Sequence, residues 1–355
     1  VNRLQSFNGR AIMEGMNKNS TILDVYSNYA QGIRYDKLHP FDTQLAFNTY
    51  LIDTVGSPTN YTQAFYGGAL QKKSILTSGG VNEMVVTLGG NYNDKFYIGG
   101  TLGFPFVNYE ELSSYKEIDA DETISNFSSL TISDDLSTVG SGFNFKFGII
   151  YRIVDWIRIS GAFHTPTFYS LTDTYSRKIE SDLESKGSYS DASPSGRYEY
   201  KLMTPMRTMG GLAFVFASYG TISAEYELVD YSSSRLREKS VIGTFDTQNE
   251  AINEKYTTTG NIRLGTEWVL APFCFRAGYA IYGSPYKSDL NDASINIVSG
   301  GVGIKEKNYY IDFTYVRAVK NENYYLYPIP VSTVISPVEM SSDRNQFVLT
   351  LGIRF

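Results

Sequence analysis

The chain has 355 residues, of which 42% are apolar, 19% charged and 15% aromatic, with 29 Tyr and 31 Gly. A formal charge of −6 argues against a nucleic-acid surface, and the sequence holds no run of about 18 apolar residues that could form a transmembrane helix. A membrane barrel is not excluded, because its strands need only about 9–11 residues each. Cys274 is the single cysteine and can form no internal disulfide.

In chain order, residues 1–80 differ from the rest. Val1–Leu4 reads as the tail of an earlier strand. Ser20 precedes "TILDVYSNYA", where Ile22, Leu23, Tyr26 and Ala30 recur at helical spacing; serine at the N-cap is a start signal. "HPFDTQLAFNTYLI" follows, with Pro40 suited to a first helical turn. Two short helices in one long excursion are expected. From Asn82 onward the pattern becomes strand, turn, strand, and residues 81–355 are read as barrel wall.

That wall begins with the hairpin "EMVVTLGGNY"–"ND"–"KFYIGGTLGFPF". It continues through "GSGFNFKFGIIYR", "WIRISGAFHT", "YEYKLMTPMRTMGGLAFVF", "GTISAEYELVDYS", "GNIRLGTEWVL", "FCFRAGYAIYG", "INIVSGGVGIK", "NYYIDFTYVRA" and "NQFVLTLGIRF". Eleven strands result. Short turns fall near 93–94, 154–155, 217–219, 271–272 and 306–307. Polar stretches near 107–139, 168–195, 232–258, 284–294 and 318–344 read as long loops. Short turns on one rim and long loops on the other is the layout of an outer-membrane barrel.

Alternate residues divide each strand into two faces. One is uniformly large and apolar: Phe143, Phe145, Phe147, Ile157, Ile159, Leu264, Phe275, Leu349. The other mixes small residues with charge: Lys146, Arg152, Arg158, His164, Arg207, Glu225, Glu227, Arg263, Glu267, Arg276, Asp312 and Arg354. Gly89, Gly99, Gly103, Gly148, Gly211, Gly265, Gly278 and Gly352 share that second face. A soluble sandwich would bury the apolar face and put many Lys and Glu, with few glycines, on the other. The pattern here fits lipid outside and a crowded polar lumen inside. Most lumen charges are expected to pair with one another. Arg158, Arg207 and Arg276, read as mid-strand, are candidate holders of a substrate carboxylate. Met203 and Met209, beside Met206, are adaptable contacts for an alkyl chain. Pro105, Pro166 and Pro205 mark bulges, kinks or strand ends, Pro205 above all.

Enzyme chemistry finds little support. Only His39 and His164 are present, and Ser160 and His164 lie too far apart along one strand to touch. No His/Cys cluster suggests a metal. "GGVGIK" at 300–305 lacks the hydroxyl residue and helix of a phosphate loop. No cofactor is expected.

Residues 200–236, "FRAGYAIYGSPYK" (275–287), "SGGVGIKEKNYYIDFTYVRA" (299–318) and the opening 32 residues resemble the FadL/TodX family of outer-membrane hydrophobic-compound transporters, its Bacteroidetes-type branch above all. The resemblance implies a monomeric 14-stranded barrel in the bacterial outer membrane, with an N-terminal hatch and a kinked third strand that opens sideways. Its partners would be hydrophobic small molecules such as long-chain fatty acids, and lipid or detergent. Hatch and first strands have no counterpart here, and an odd number of strands cannot close with every neighbour antiparallel. Gln346–Phe355 is therefore expected to pair on one side only, toward 308–318, with Val1–Leu4 beside the strand near 83–92. A barrel that docks other outer-membrane proteins in secretion or surface assembly is the alternative.

Overall fold

One antiparallel sheet runs through nearly the whole chain. The computed structural model describes residues 1–239, 244–287, 291–327 and 337–353. The elements in order are β1 (Asn2–Ser6), β2 (Gly9–Asn17), α1 (Ile22–Ala30), α2 (Thr43–Asn48), β3 (Ile52–Val55), β4 (Ser57–Gln63), β5 (Ala69–Tyr92), β6 (Phe96–Ile118) and β7 (Ser129–Val154). Then come β8 (Ile157–His164), β9 (Phe168–Leu183), β10 (Gly187–Ala192), β11 (Gly196–Met203), β12 (Arg207–Phe216), β13 (Gly220–Asp230), β14 (Arg235–Glu238) and α3 (Asp246–Lys255). The chain continues as β15 (Thr258–Leu270), β16 (Phe273–Tyr282), β17 (Ile295–Lys305), β18 (Tyr309–Tyr324) and β19 (Val338–Ile353).

β1 and β2 both lie along β5, which pairs with β6, and β6 with β7. β7 takes β8 at its turn end and β9 at its far end. β8 and β9 are thus one broken line, and β12 and β11 form the next. From β12 the order is β13, β15, β16, β17, β18, β19, each antiparallel to the last. Asn2 pairs with Glu83 at the sheet's start, and β19 has β18 as its strand partner among the described residues. Phe355 lies outside the described residues.

Several expectations need correction. The stretches 107–139 and 168–195 are largely strand, because β6, β7 and β9 continue far past the apolar belt. β7 alone has 26 residues, on the order of 80 Å of strand at about 3.3 Å per residue. Beyond the belt the outer face no longer carries a continuous row of large apolar groups, so Ser- and Asp-rich strand reads as loop. In 232–258 the structure has β14 and α3, and in 318–344 parts of β18 and β19. A boundary at residue 80 falls inside β5, and the early strand line reaches Asn17 rather than Leu4. "YEYKLMTPMRTMGGLAFVF" is two strands with a break at 204–206.

The two faces follow the alternation. Large apolar side chains form a continuous outer belt, from Leu88 (80% exposed) through Phe143 and Leu264 to Leu349 (64% exposed). Neighbours share a face: Trp268 pairs with Phe275, Phe275 with Val302, Val302 with Phe313, and Phe313 with Leu349. A patch of this extent is unfavourable in water and is suited to an apolar solvent.

The main buried core lies elsewhere, on the inner face of the long strands' far ends. Leu23, Tyr26, Leu45, Leu51 and Ile52 of the excursion pack there with Tyr115, Phe127, Leu130, Ile132, Ile179 and Leu183. Phe65 stacks on Phe127 at 4.0 Å between centroids. α1 is capped by Thr21, not Ser20: its hydroxyl accepts from the Leu23 N–H, and the Asp24 carboxylate accepts from the Thr21 N–H at 3.0 Å. Ser20 instead bonds the Tyr327 hydroxyl at 2.7 Å. α2 begins after its Asp42 cap, leaving Pro40 ahead of the helix.

Candidate functional site

The inner face below this cap carries a chain of ion pairs built by register. Antiparallel partners share a face, so Lys146 opposite His164, and His164 opposite Arg207, form one inward row. The eight glycines named from the sequence fall on the same face by pairing; Gly89, Gly99 and Gly148 lie in one row, and Gly265 and Gly278 in another.

Glu83 is 1% exposed and accepts from Lys146 Nζ and from Asn144 Nδ2, the latter at 2.9 Å. Gly103 makes that cluster sterically possible: a Cβ there would lie 2.5 Å from Glu83 Oε1 and from Asn144 Oδ1. Sequence reasoning missed Glu83. Its signal was the alternation Glu83, Val85, Thr87, but it sat at the apparent start of a strand.

Further around the sheet, Glu227 is also 1% exposed. Arg207 Nη1 donates to its Oε1 at 3.3 Å. Arg263 Nη2 lies 2.7 Å from Glu227 Oε2, without the alignment of a hydrogen bond, and 2.6 Å from Glu225 Oε1. Arg263 also donates to the Tyr282 hydroxyl at 3.2 Å. In the next group, Arg276 bridges Glu267 at 2.6 Å and Asp312 at 2.5 Å. Four cations (Lys146, Arg207, Arg263, Arg276) thus meet five carboxylates, and none of these cations is left without an acid.

The remaining candidates separate. Arg158 is the second residue of β8, opposite Arg152 and close to the short turn, not mid-strand. Arg152 is held by Asp155 at 2.6 Å, whereas Arg158 has no acidic partner among the described residues. Met209 pairs with Glu227 and Ala162 on the inner face. Met203 does not belong there: it pairs with Phe168 on the apolar outer face, because its strand breaks below it and the inward phase falls on Leu202. Arg354 lies outside the described residues.

No protein-family model matches the chain, and no curated protein matches it. Several solved structures are similar at low identity, three of them as follows. The CymD monoaromatic hydrocarbon channel is 14% identical over 76% of this chain and 81% of that one, with a TM-score of 0.42. The P. putida toluene transporter TodX is 10% identical over 98% and 78%, with a TM-score of 0.46. A Pseudomonas aeruginosa FadL homologue is 13% identical over 98% of each, with a TM-score of 0.43.

Proposed function

We propose that the chain forms the wall of a bacterial outer-membrane β-barrel of FadL/TodX type that passes hydrophobic compounds passively, with no bond made or broken. The observation that carries this reading is the division of one sheet into an apolar outer belt and a small, polar inner face under a helical cap. The outer belt suits lipid, and the inner face suits a passage.

The nature of the cargo follows from the charge pairing. A fatty-acid carboxylate needs a cation to replace its water. Arg207 and Arg276 are already engaged by carboxylates, and Arg158 alone of the three candidates has no acid beside it among the described residues. Uncharged hydrophobic compounds therefore come first and long-chain fatty acids second, with Met209 and Arg158 along the path. A docking barrel for secretion or assembly is the second reading, favoured by the same mutual pairing of inner-face charge.

The test is uptake by a bacterium lacking its own hydrophobic-compound channels and expressing the protein. Radiolabelled toluene should enter faster than in the empty strain, and oleate should gain less. Equal entry with and without the protein would remove the channel reading and leave docking.

A further inference from the structure

The outer face changes character abruptly on β11 and β14. Below Met203, the outward residues of β12 are Thr208, Gly210, Leu212, Phe214 and Phe216; above it they are Lys201, Glu199 and Arg197. That change marks the edge of the apolar belt. At this edge Lys201 pairs directly with Arg237 of β14. Like charges directly opposite are destabilising unless something between them is negative.

The neighbouring cations are accounted for. Arg197 and Lys239 both hold Glu199, at 2.8 and 2.7 Å. Arg235 donates to the carbonyls of Ser232 and Ser234, at 2.6 and 2.7 Å. Lys201 and Arg237 are exposed and have no acidic partner among the described residues. They edge an apolar cavity of about 690 Å³ whose walls include Phe104, Phe143, Phe168 and Met203. Phe143 and Phe168 stack there at 5.2 Å.

We propose that this groove is a binding site for an anionic membrane lipid. Its phosphate head bridges Lys201 and Arg237, and an acyl chain lies along the Phe104–Phe143–Phe168 wall. A guanidinium fork matches phosphate oxygens two at a time, and an ammonium adds a point charge. The phosphate supplies the missing negative charge between two opposed cations, and the tail covers aromatic surface at the belt's edge. This site lies on the outside of the wall. It requires the outer belt to be in lipid but is independent of any passage through the inside.

The experiment is native mass spectrometry of the full chain in a nonionic detergent, titrated with phosphatidylglycerol or with phosphatidylcholine of the same acyl chains. The expected result is one phosphatidylglycerol adduct formed in clear preference to phosphatidylcholine. In Lys201→Ala/Arg237→Ala its affinity should fall about tenfold or more, roughly 1.4 kcal/mol or greater. Lys116→Ala, an exposed cation higher on the outer face, should bind like the parent. Heat-modifiable gel mobility checks that each variant is folded. Equal binding of the two lipids, or undiminished binding by the folded double variant, overturns the site. Displacement of the adduct by millimolar inorganic phosphate alone assigns the cations to a free anion and overturns the lipid claim. Since uptake is not measured, failure here leaves the channel reading standing, and failure of uptake leaves this site standing.

Discussion

Pro166 and Pro205 stand opposite each other in neighbouring strand lines. Met203 pairs with Phe168 and Arg207 with His164, so three residues of each line face one another between those pairs, and the middle one of each is proline. Neither can donate to the ladder. Hydroxyls fill in on both sides of the gap: Thr204 Oγ1 accepts from the Thr167 N–H at 3.0 Å, and Thr165 Oγ1 accepts from the Phe145 N–H at 3.0 Å. Pro105 interrupts the ladder between β6 and β7 close by, where pairing lapses between Gly103 and Phe106.

This seam should open more readily than the wall below it. Amides of Phe145, Thr167 and Thr204 should exchange with deuterium faster than those of Ile149, Gly161 and Leu212, which sit in unbroken pairing. Hydrogen exchange read by mass spectrometry on the reconstituted protein makes the comparison. Equal protection of both sets would mean that the side-chain substitutes hold as well as a regular ladder.

Glu83 and Lys146 should behave as a buried pair. Lys146→Met leaves a carboxylate that is 1% exposed with Asn144 as its remaining close donor, and should cost about 3–5 kcal/mol. Lys146→Met combined with Glu83→Gln should cost clearly less than Lys146→Met alone, because no charge is left stranded. Denaturant unfolding in detergent, run as a double-mutant cycle, checks this. Additive losses would place the two groups outside one interaction.

The cap carries a pH response. Glu117 is fully buried on the inner face and accepts from the hydroxyls of Thr21 and Tyr115, the Ile22 N–H and the Gln71 amide. Burial raises its carboxyl above the ordinary glutamate range against those four donors. The native state therefore binds a proton that the unfolded state has already lost. Stability falls as pH rises from the ordinary glutamate value through the raised native one, then levels off. Glu117→Gln should remove that component of the slope. Resistance of the cap to proteolysis across a pH series reads it, and an unchanged slope in the variant would exclude Glu117 as its source.

How much of the fold the sequence reveals depends on where the exposed apolar belt runs. Within the belt, each strand shows large apolar against small or charged residues, so Phe143–Phe145–Phe147 and Phe273–Phe275 revealed their faces directly. Past the belt that contrast weakens. Leu130 and Ile132 alternate with Thr131 and Ser133, which is a strand packed on the cap, but a Ser- and Asp-rich context makes it look like loop. The ion pairs were legible only as a list of residue types. Glu83 and Lys146 are 63 positions apart, and nothing local reveals the register that joins them. Met203 was assigned to the wrong face because the break at Pro205 was read through as continuous strand.

The central claim is that one face of this sheet meets lipid and the other does not. Spin labels placed singly from Ile262 to Trp268 in a Cys274→Ser background, with the protein in bilayers, test it most directly through their accessibility to oxygen and to a water-soluble nickel complex. Positions 262, 264, 266 and 268 should favour oxygen, and 263, 265 and 267 the nickel complex, in strict alternation. A reversed phase, or no alternation at all, would contradict the account.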